Sequence, residues 1–232
     1  MVLLSKKYAS LYTPINVTER TLIPPGDFYP AHLGISQNLL GVLIQRKEIK
    51  ERVCAMAQII SQDYEGREIQ PIVVMEGAKR FYDLLKGYLL KNSAHSLKPP
   101  ILINAKSMDG VESRDLRIEV HKDSPLQLNA MEMEDCLIVE DIEDTCKTLS
   151  GLNNRLREYM PTSLHVAVLL RKVGVEKQLL SPEFVRYCGF EIANQFVVGL
   201  GLDYNGALRD LEHICVLHPD IYRGQKSMEA DQ

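Results

Sequence analysis

The chain predicts an α/β protein built on a doubly wound parallel sheet, and two observations carry that prediction. Short apolar runs, Pro71-Ile72-Val73-Val74-Met75, Ile101-Leu102-Ile103 and Leu137-Ile138-Val139, are compact and lack the alternation of half-exposed strands, as strands buried on both faces do. Between them, apolar residues recur at helical spacing: Ile49, Val53, Met56, Ala57 and Ile60 in one stretch, Phe81, Leu84, Leu85 and Tyr88 in another. Strands alternating with helices pair in parallel, and the ligands of such sheets bind beyond the carboxyl ends of the strands.

Residues 1–40, rich in Pro, Tyr and Thr and carrying the turn signal Pro24-Pro25-Gly26-Asp27, read as an irregular lobe wrapped on the main domain. Val42-Leu43-Ile44 is a short strand, and the first helix runs from Lys47 to a stop near Tyr64-Glu65-Gly66. After the strand at 71–75, a Glu76-Gly77 turn leads into a helix over 78–90, then a strand at 101–105. Residues 106–128 are polar, contain Asp109-Gly110 and include the alternating run Leu116-Arg117-Ile118-Glu119-Val120, a pattern that suits a long mobile hairpin over a site. The strand at 136–139 ends in Glu140 and Asp141; a tight turn follows, then a helix with Leu149, Leu152, Leu156 and Met160 on one face. Later strands are expected at 164–170, ending at Arg171-Lys172, at Phe184-Val185 and at Phe196-Val197-Val198-Gly199. From Asp203 the chain is polar except for Ile214-Cys215-Val216-Leu217.

At 232 residues, 45% apolar and 25% charged, the chain suits one globular domain over 1–232. A net charge of −4 and a pI near 5.9 supply no global basic field, which argues against nucleic acid and membrane surfaces as partners but leaves room for a local basic pocket. The five cysteines, Cys54, Cys136, Cys146, Cys188 and Cys215, are scattered and show no C-x-x-C spacing, so neither a disulfide framework nor a zinc site is expected. With no signal peptide or transmembrane run in view, the cytoplasm is the expected location.

The stretch around which the rest is organised is Leu137-Ile138-Val139-Glu140-Asp141-Ile142-Glu143-Asp144-Thr145-Cys146-Lys147-Thr148. A buried strand, an acidic pair, a hydroxyl-rich turn and a helix N-terminus make an anion site, because the first helical turn has main-chain N–H groups without intrahelical partners. The plain alternative for such a pattern is a solvated strand end with an N-capped helix. Glu-Asp-x-x-Asp-Thr-x-Lys-Thr after Leu-Ile-Val resembles the phosphoribosyl-diphosphate (PRPP) loop of type I phosphoribosyltransferases, in particular the hypoxanthine-guanine branch. A second block, Gly189-Phe190-Glu191-Ile192 followed by Phe196 to Asn205 and by Arg209-Asp210-Leu211, resembles the purine- and pyrophosphate-binding end of the same family.

The resemblance implies a type I phosphoribosyltransferase fold: a five-stranded parallel core with a small hood built from segments 1–45 and 203–232, and a mobile hairpin loop. It implies purine salvage: hypoxanthine or guanine plus PRPP giving IMP or GMP plus pyrophosphate, with Mg2+, in a homodimer or homotetramer. Glu140 and Asp141 would hold the ribose hydroxyls, directly or through Mg2+. Ile142, Glu143 and the turn of Asp144, Thr145, Cys146, Lys147 and Thr148 would surround the 5-phosphate. Asp144 would be the general acid/base near N7 of the purine. Lys172 would donate to the 6-oxo group, Phe196 would stack on the ring, and the main chain of Val197 would meet the 2-position. Asp203 would be a Mg2+ ligand and Arg209 a partner of pyrophosphate, with Gly77 lending its main chain and Ser107 opening the mobile loop. Read without the resemblance, Lys172 is a surface charge, Phe196 a core aromatic, and Asp203 and Arg209 a structural ion pair.

Four positions depart from the pattern. Met75-Glu76-Gly77 stands where the family usually has Lys-Gly-Gly or close to it, so a cation is missing and a carboxylate enters the pyrophosphate turn. Met108 stands for Tyr, and Cys146 for Gly. Met75 and Glu76 motivate a second reading, a homologue that binds purine nucleotide or PRPP with little turnover. A third reading, a PRPP-sensing regulator tied to nucleic acid, is disfavoured by the acidic charge.

Overall fold

The structure is a computed structural model that describes residues 13–91, 96–107, 116–176, 180 and 184–222. In chain order its strands and α-helices are β1 (Ile15–Asn16), β2 (Leu39–Ile44), α1 (Arg46–Asp63), β3 (Ile69–Val74), α2 (Lys79–Lys91), β4 (Ile101–Ser107), β5 (Leu116–Val120), β6 (Asp135–Glu143), α3 (Lys147–Leu156), β7 (Ser163–Lys172), β8 (Val185–Ile192), β9 (Val197–Val198) and β10 (Ile214–Leu217).

The main sheet has the order β1-β8-β7-β6-β3-β4-β5, parallel throughout except for the β4–β5 pair. β6 lies at its centre, and its apolar run is buried on both faces as its sequence requires. Cys136 and Ile138 join one hydrophobic core with Leu149, Leu152 and Leu156 of α3, whereas Leu137 and Val139 join the other with α1 and α2. The chain proceeds outward from β3 to β4 in one direction and from β6 to β7 and β8 in the other. The carboxyl ends of β3 and β6 therefore flank the topological switch point, where doubly wound sheets open a crevice.

Several elements differ from the sequence reading for identifiable reasons. β6 does not stop at Val139. Its pairing with β3 ends there, but its ladder with β7 continues through Glu140↔Val168 and Ile142↔Leu170 to Glu143↔Arg171. The acidic pair thus rides on a strand that has lost one neighbour. The helix after it ends at Leu156, and Met160 falls off its buried face: it is left-handed (φ 50°), 73% exposed and followed by Pro161, which steers its predecessor away from helical backbone. In α2 the buried residues are Phe81, Tyr82, Leu85 and Leu89, while Leu84 and Tyr88 pack at the margin. β8 runs the eight residues from Val185 to Ile192, well beyond the expected Phe184-Val185.

The expected hairpin has a different stem: β5 pairs with β4, from Ile103↔Val120 to Ser107↔Leu116. Its tip, with Met108, lies outside the described residues. A second, three-stranded antiparallel sheet, β2-β10-β9, joins segments distant in sequence over a separate small core of Leu39, Val42, Val198, Leu211, Cys215 and Leu217. The N-terminal segment adds β1 to the sheet edge beside β8, held by the buried Arg52, which donates to Thr13 O (2.9 Å) and Cys188 O (2.7 Å). None of the five cysteines, all of them described residues, is in a disulfide; Cys54 is half-buried and the others are buried.

Candidate active site

At the switch point lies a cavity of about 350 Å3 lined by 74–77, Ala105, 140–149, Asp203 and Arg209. Besides Ala105 it gathers four kinds of group, two of them from the continuous stretch 140–149.

The first is the acidic pair at the end of β6. Glu140 and Asp141 are buried, at 8% and 9% exposure. Burial pushes the Glu140 carboxyl well above the ordinary carboxylate range, and the neighbouring Asp141 charge adds to the effect. Burial also raises Asp141, against the pull of Arg209 and of main-chain donors. One Glu140 oxygen, Oε1, accepts the Asp141 N–H at 3.2 Å; the other, Oε2, is buried with no hydrogen-bond partner among the described residues. A buried carboxylate oxygen left unsatisfied is costly to the free protein and is offset by an incoming cation or hydroxyl donor.

The second is the turn into α3. Cys146 precedes the helix in left-handed backbone (φ 64°), which explains why Gly suits that place, and no side chain caps the helix there. A helix start without a side-chain cap offers its first-turn N–H groups to a ligand, and the helix dipole favours an anion. Glu143 also lines the cavity, but its carboxylate is engaged by Arg171 Nε at 2.7 Å.

The third is the Met75–Gly77 turn, which closes the cavity from β3 and contains a cis peptide bond between Met75 and Glu76. Gly77 is required sterically: a Cβ there would lie 1.9 Å from Asp141 Oδ2. Gly201 (φ 104°) packs on the same turn, where a Cβ would lie 2.0 Å from Gly77 O. The carboxylate of Glu76 points to His121, with Oε1 3.3 Å from Nε2.

The fourth is the loop after β9. Arg209 bridges Asp203 Oδ1 at 2.8 Å and donates to Gly201 O at 2.8 Å, while Asp203 Oδ2 accepts the Gly206 N–H at 2.6 Å. Arginine, anchored by two acceptors, presents the remainder of its donor fork toward the cavity.

Lys172, at the end of β7, is tied to this cavity through Asp144: Nζ lies 2.7 Å from Oδ2, and the lysine side chain is only 12% exposed. Phe196 and Val197 are not part of the cavity lining. Val197 is buried in β9, and Phe196 stacks on Tyr222 (centroids 5.3 Å apart) and lies perpendicular to Tyr204 (centroids 5.4 Å apart). Ser107 closes β4 at the base of the hairpin. Sequence reasoning missed His121, Arg171 and the close approach at Gly201; the Gly199-Leu200-Gly201 spacing was the one visible hint, whereas nothing local marks His121. Among the described residues, no cluster of three or more His, Cys, Asp or Glu side chains forms a ready metal cage.

Fold and site together define a phosphoribosyltransferase of the type I fold. No family model matches the chain. It is 34% identical over 187 residues to hypoxanthine-guanine phosphoribosyltransferase of Homo sapiens, covering 78% of this chain and 83% of that one. It is 31% identical over 208 residues to the enzyme of the same name from Mycobacterium tuberculosis (strain CDC 1551 / Oshkosh), covering 87% and 96%. Among solved structures, a variant of Trypanosoma cruzi hypoxanthine phosphoribosyltransferase complexed with its product IMP is similar at a TM-score of 0.71 and 29% identity, covering 82% of this chain and 97% of that one. The chain belongs to the hypoxanthine-guanine phosphoribosyltransferase family.

Proposed function

We propose that this protein transfers the 5-phosphoribosyl group of PRPP to hypoxanthine or guanine, giving IMP or GMP and pyrophosphate. The observation that carries this reading is the convergence in one cavity of the uncapped start of α3, the buried Glu140–Asp141 pair, Arg209, and Asp144 joined to Lys172. Family membership supplies the substrate class.

In the forward direction N9 of the purine bonds to C1 of the ribose, the bond from C1 to the diphosphate oxygen breaks, and pyrophosphate leaves with the electron pair. The purine sheds a proton, and the Asp144 carboxylate accepts it at N7. Lys172, released from Asp144 by the entering base, donates to the 6-oxo group; this selects 6-oxopurines, since adenine offers a donor there. Phe196 stacks on the ring and the main chain of Val197 meets its 2-position. Residues 144–148 take the 5-phosphate on main-chain N–H groups, Ile142 and Glu143 shape the wall behind them, and Gly77 and Arg209 face the pyrophosphate. Ser107, at the root of the hairpin, belongs to the segment that excludes water.

Mg2+ suits the acidic pair. Two adjacent buried carboxylates, one with an unsatisfied oxygen, offer it ligands, and this ion is commonly held by one or two carboxylates with water and substrate oxygens completing the shell. Glu140 and Asp141 would hold it on the ribose side, and Asp203, through lone pairs not taken by Arg209 and Gly206, on the pyrophosphate side. Bound there, the ion would neutralise charge on the departing pyrophosphate. Of the hood segments 1–45 and 203–232, residues 1–12 and 223–232 lie outside the described residues; the remainder, which supplies β2 and β10, is assigned to the hood over the single domain, and a homodimer or homotetramer in the cytoplasm is the assembly and location that fit the family. No helix among the described residues is long and apolar enough to cross a membrane.

Steady-state kinetics with hypoxanthine, guanine, xanthine and adenine at saturating PRPP and Mg2+ test the reading. Turnover of hypoxanthine or guanine with adenine inert supports it; absence of turnover with all four bases removes it.

A further inference from the structure

Glu76 brings a negative charge to the wall of a cavity whose proposed ligand is itself strongly negative, and no cation stands beside it on its own turn, where Met75 precedes it and Gly77 follows. The geometry around the carboxylate shows how this is tolerated. Oε1 lies 3.3 Å from His121 Nε2. On the far side of the ring, Nδ1 accepts the Asp123 N–H at 3.2 Å and lies 3.7 Å from Asp123 Oδ2, so the ring is held from that side with Nε2 directed at Glu76. The ring is well fixed: its side chain is 11% exposed, and the main chain of His121 donates to Leu102 O of β4 at 2.8 Å and accepts from Ser124 N at 2.9 Å. The Glu76 turn is tied to the same strand, because Met75 N donates to Ile103 O at 2.8 Å.

We infer that His121 is a positioning residue for PRPP and pyrophosphate: it holds the Glu76 carboxylate to the side of the anion cavity and so keeps a repulsive charge off the diphosphate. The inference deepens the proposed phosphoribosyl transfer and rests on it. A carboxylate released into the cavity would face the diphosphate at a few ångströms in partly desolvated surroundings, where like charges repel strongly enough to weaken binding by about tenfold or more. The residue acts only through Glu76, so its effect exists only while Glu76 is charged.

The test is a double-mutant cycle on the full chain, with KM for PRPP and kcat at a saturating 6-oxopurine, and with the Kd for inorganic pyrophosphate in the presence of Mg2+ measured by calorimetry. His121→Ala is expected to raise KM and Kd about tenfold with kcat within about twofold, and His121→Ala/Glu76→Gln to bring both back to near the wild-type values, the signature of two coupled neighbours. His121→Gln, which keeps an N–H donor at a similar reach, is expected to stay near wild type, and it serves as the second variant where the alanine fails to fold. A His121→Ala protein with unchanged KM and Kd overturns the inference, as does an increase that Glu76→Gln leaves in place, because that outcome assigns His121 to shaping the turn alone. Absence of turnover in the wild type sinks the reaction reading, whereas the pyrophosphate Kd series still decides for or against His121.

Discussion

Two turns face each other across the cavity, and they were built by different rules. The 144–148 turn carries its chemistry in its own residues: an acid/base candidate, two hydroxyls and a helix start, all adjacent in sequence. The Met75–Gly77 turn carries almost none. Its shape follows from what packs on it, Asp141 against Gly77, Gly201 against the Gly77 carbonyl, and His121 against Glu76. The first turn is therefore specified by residues adjacent in the chain, and the second by distant residues that the fold packs against it.

Substitutions can break or sharpen that contrast. The largest effect is expected from Asp144→Asn, which leaves shape intact and removes the proton acceptor: kcat should fall about 10²- to 10⁴-fold, measured in steady state. Loss of its half-exposed ion pair with Lys172 should change stability by less than about 1 kcal/mol. Gly77→Ala probes the opposite turn. With a Cβ 1.9 Å from Asp141 Oδ2, it should destabilise the fold by about 1–3 kcal/mol in urea and displace Asp141, so that PRPP affinity falls too. An active protein of wild-type stability would dissolve the contrast.

Glu140→Gln tests the group the two turns share. The folded-state carboxyl is raised above its ordinary value of 4.5 by burial, so the native state binds more protons than the unfolded chain above that pH, and wild-type stability declines as pH rises toward the elevated value. The glutamine variant lacks that decline. In the absence of ligand it should be more stable than wild type near pH 7, by about 1–2 kcal/mol, with the advantage vanishing below pH 4.5, while stabilisation by PRPP and Mg2+ is lost; denaturation at both pH values, with and without ligand, reads this out. The smallest effect is expected from Cys146→Gly. Relief of left-handed strain, about 1 kcal/mol, offsets the lost burial of the thiol, so stability should move by less than that and turnover should persist.

The same division explains what could be read in advance. The apolar run of β6, the periodicities of α1 and α3 up to Leu156, and the 140–148 motif are local, because a buried strand or an amphipathic helix writes its period into neighbouring residues. The end of α3 was misplaced because Met160 continues the apolar spacing although Pro161 forbids the helix. Tyr82 and Leu89 were missed because α2 packs on both the sheet and α1, which rotates its buried face. The continuation of β6 through Glu140 and Asp141 depends on the ladder with β7, a partner some thirty residues away.

By itself, then, the sequence determined the class of fold, the central strand and the phosphate turn, since each is specified by residues in contact along the chain. Only the tertiary structure decided that Glu76 faces His121, that Glu143 is engaged by Arg171, that Gly201 closes on Gly77, and that Asp144 and Lys172 hold one another. Those pairings join residues 28 to 124 positions apart, and where a charge is directed depends on which partner the fold brings within a few ångströms.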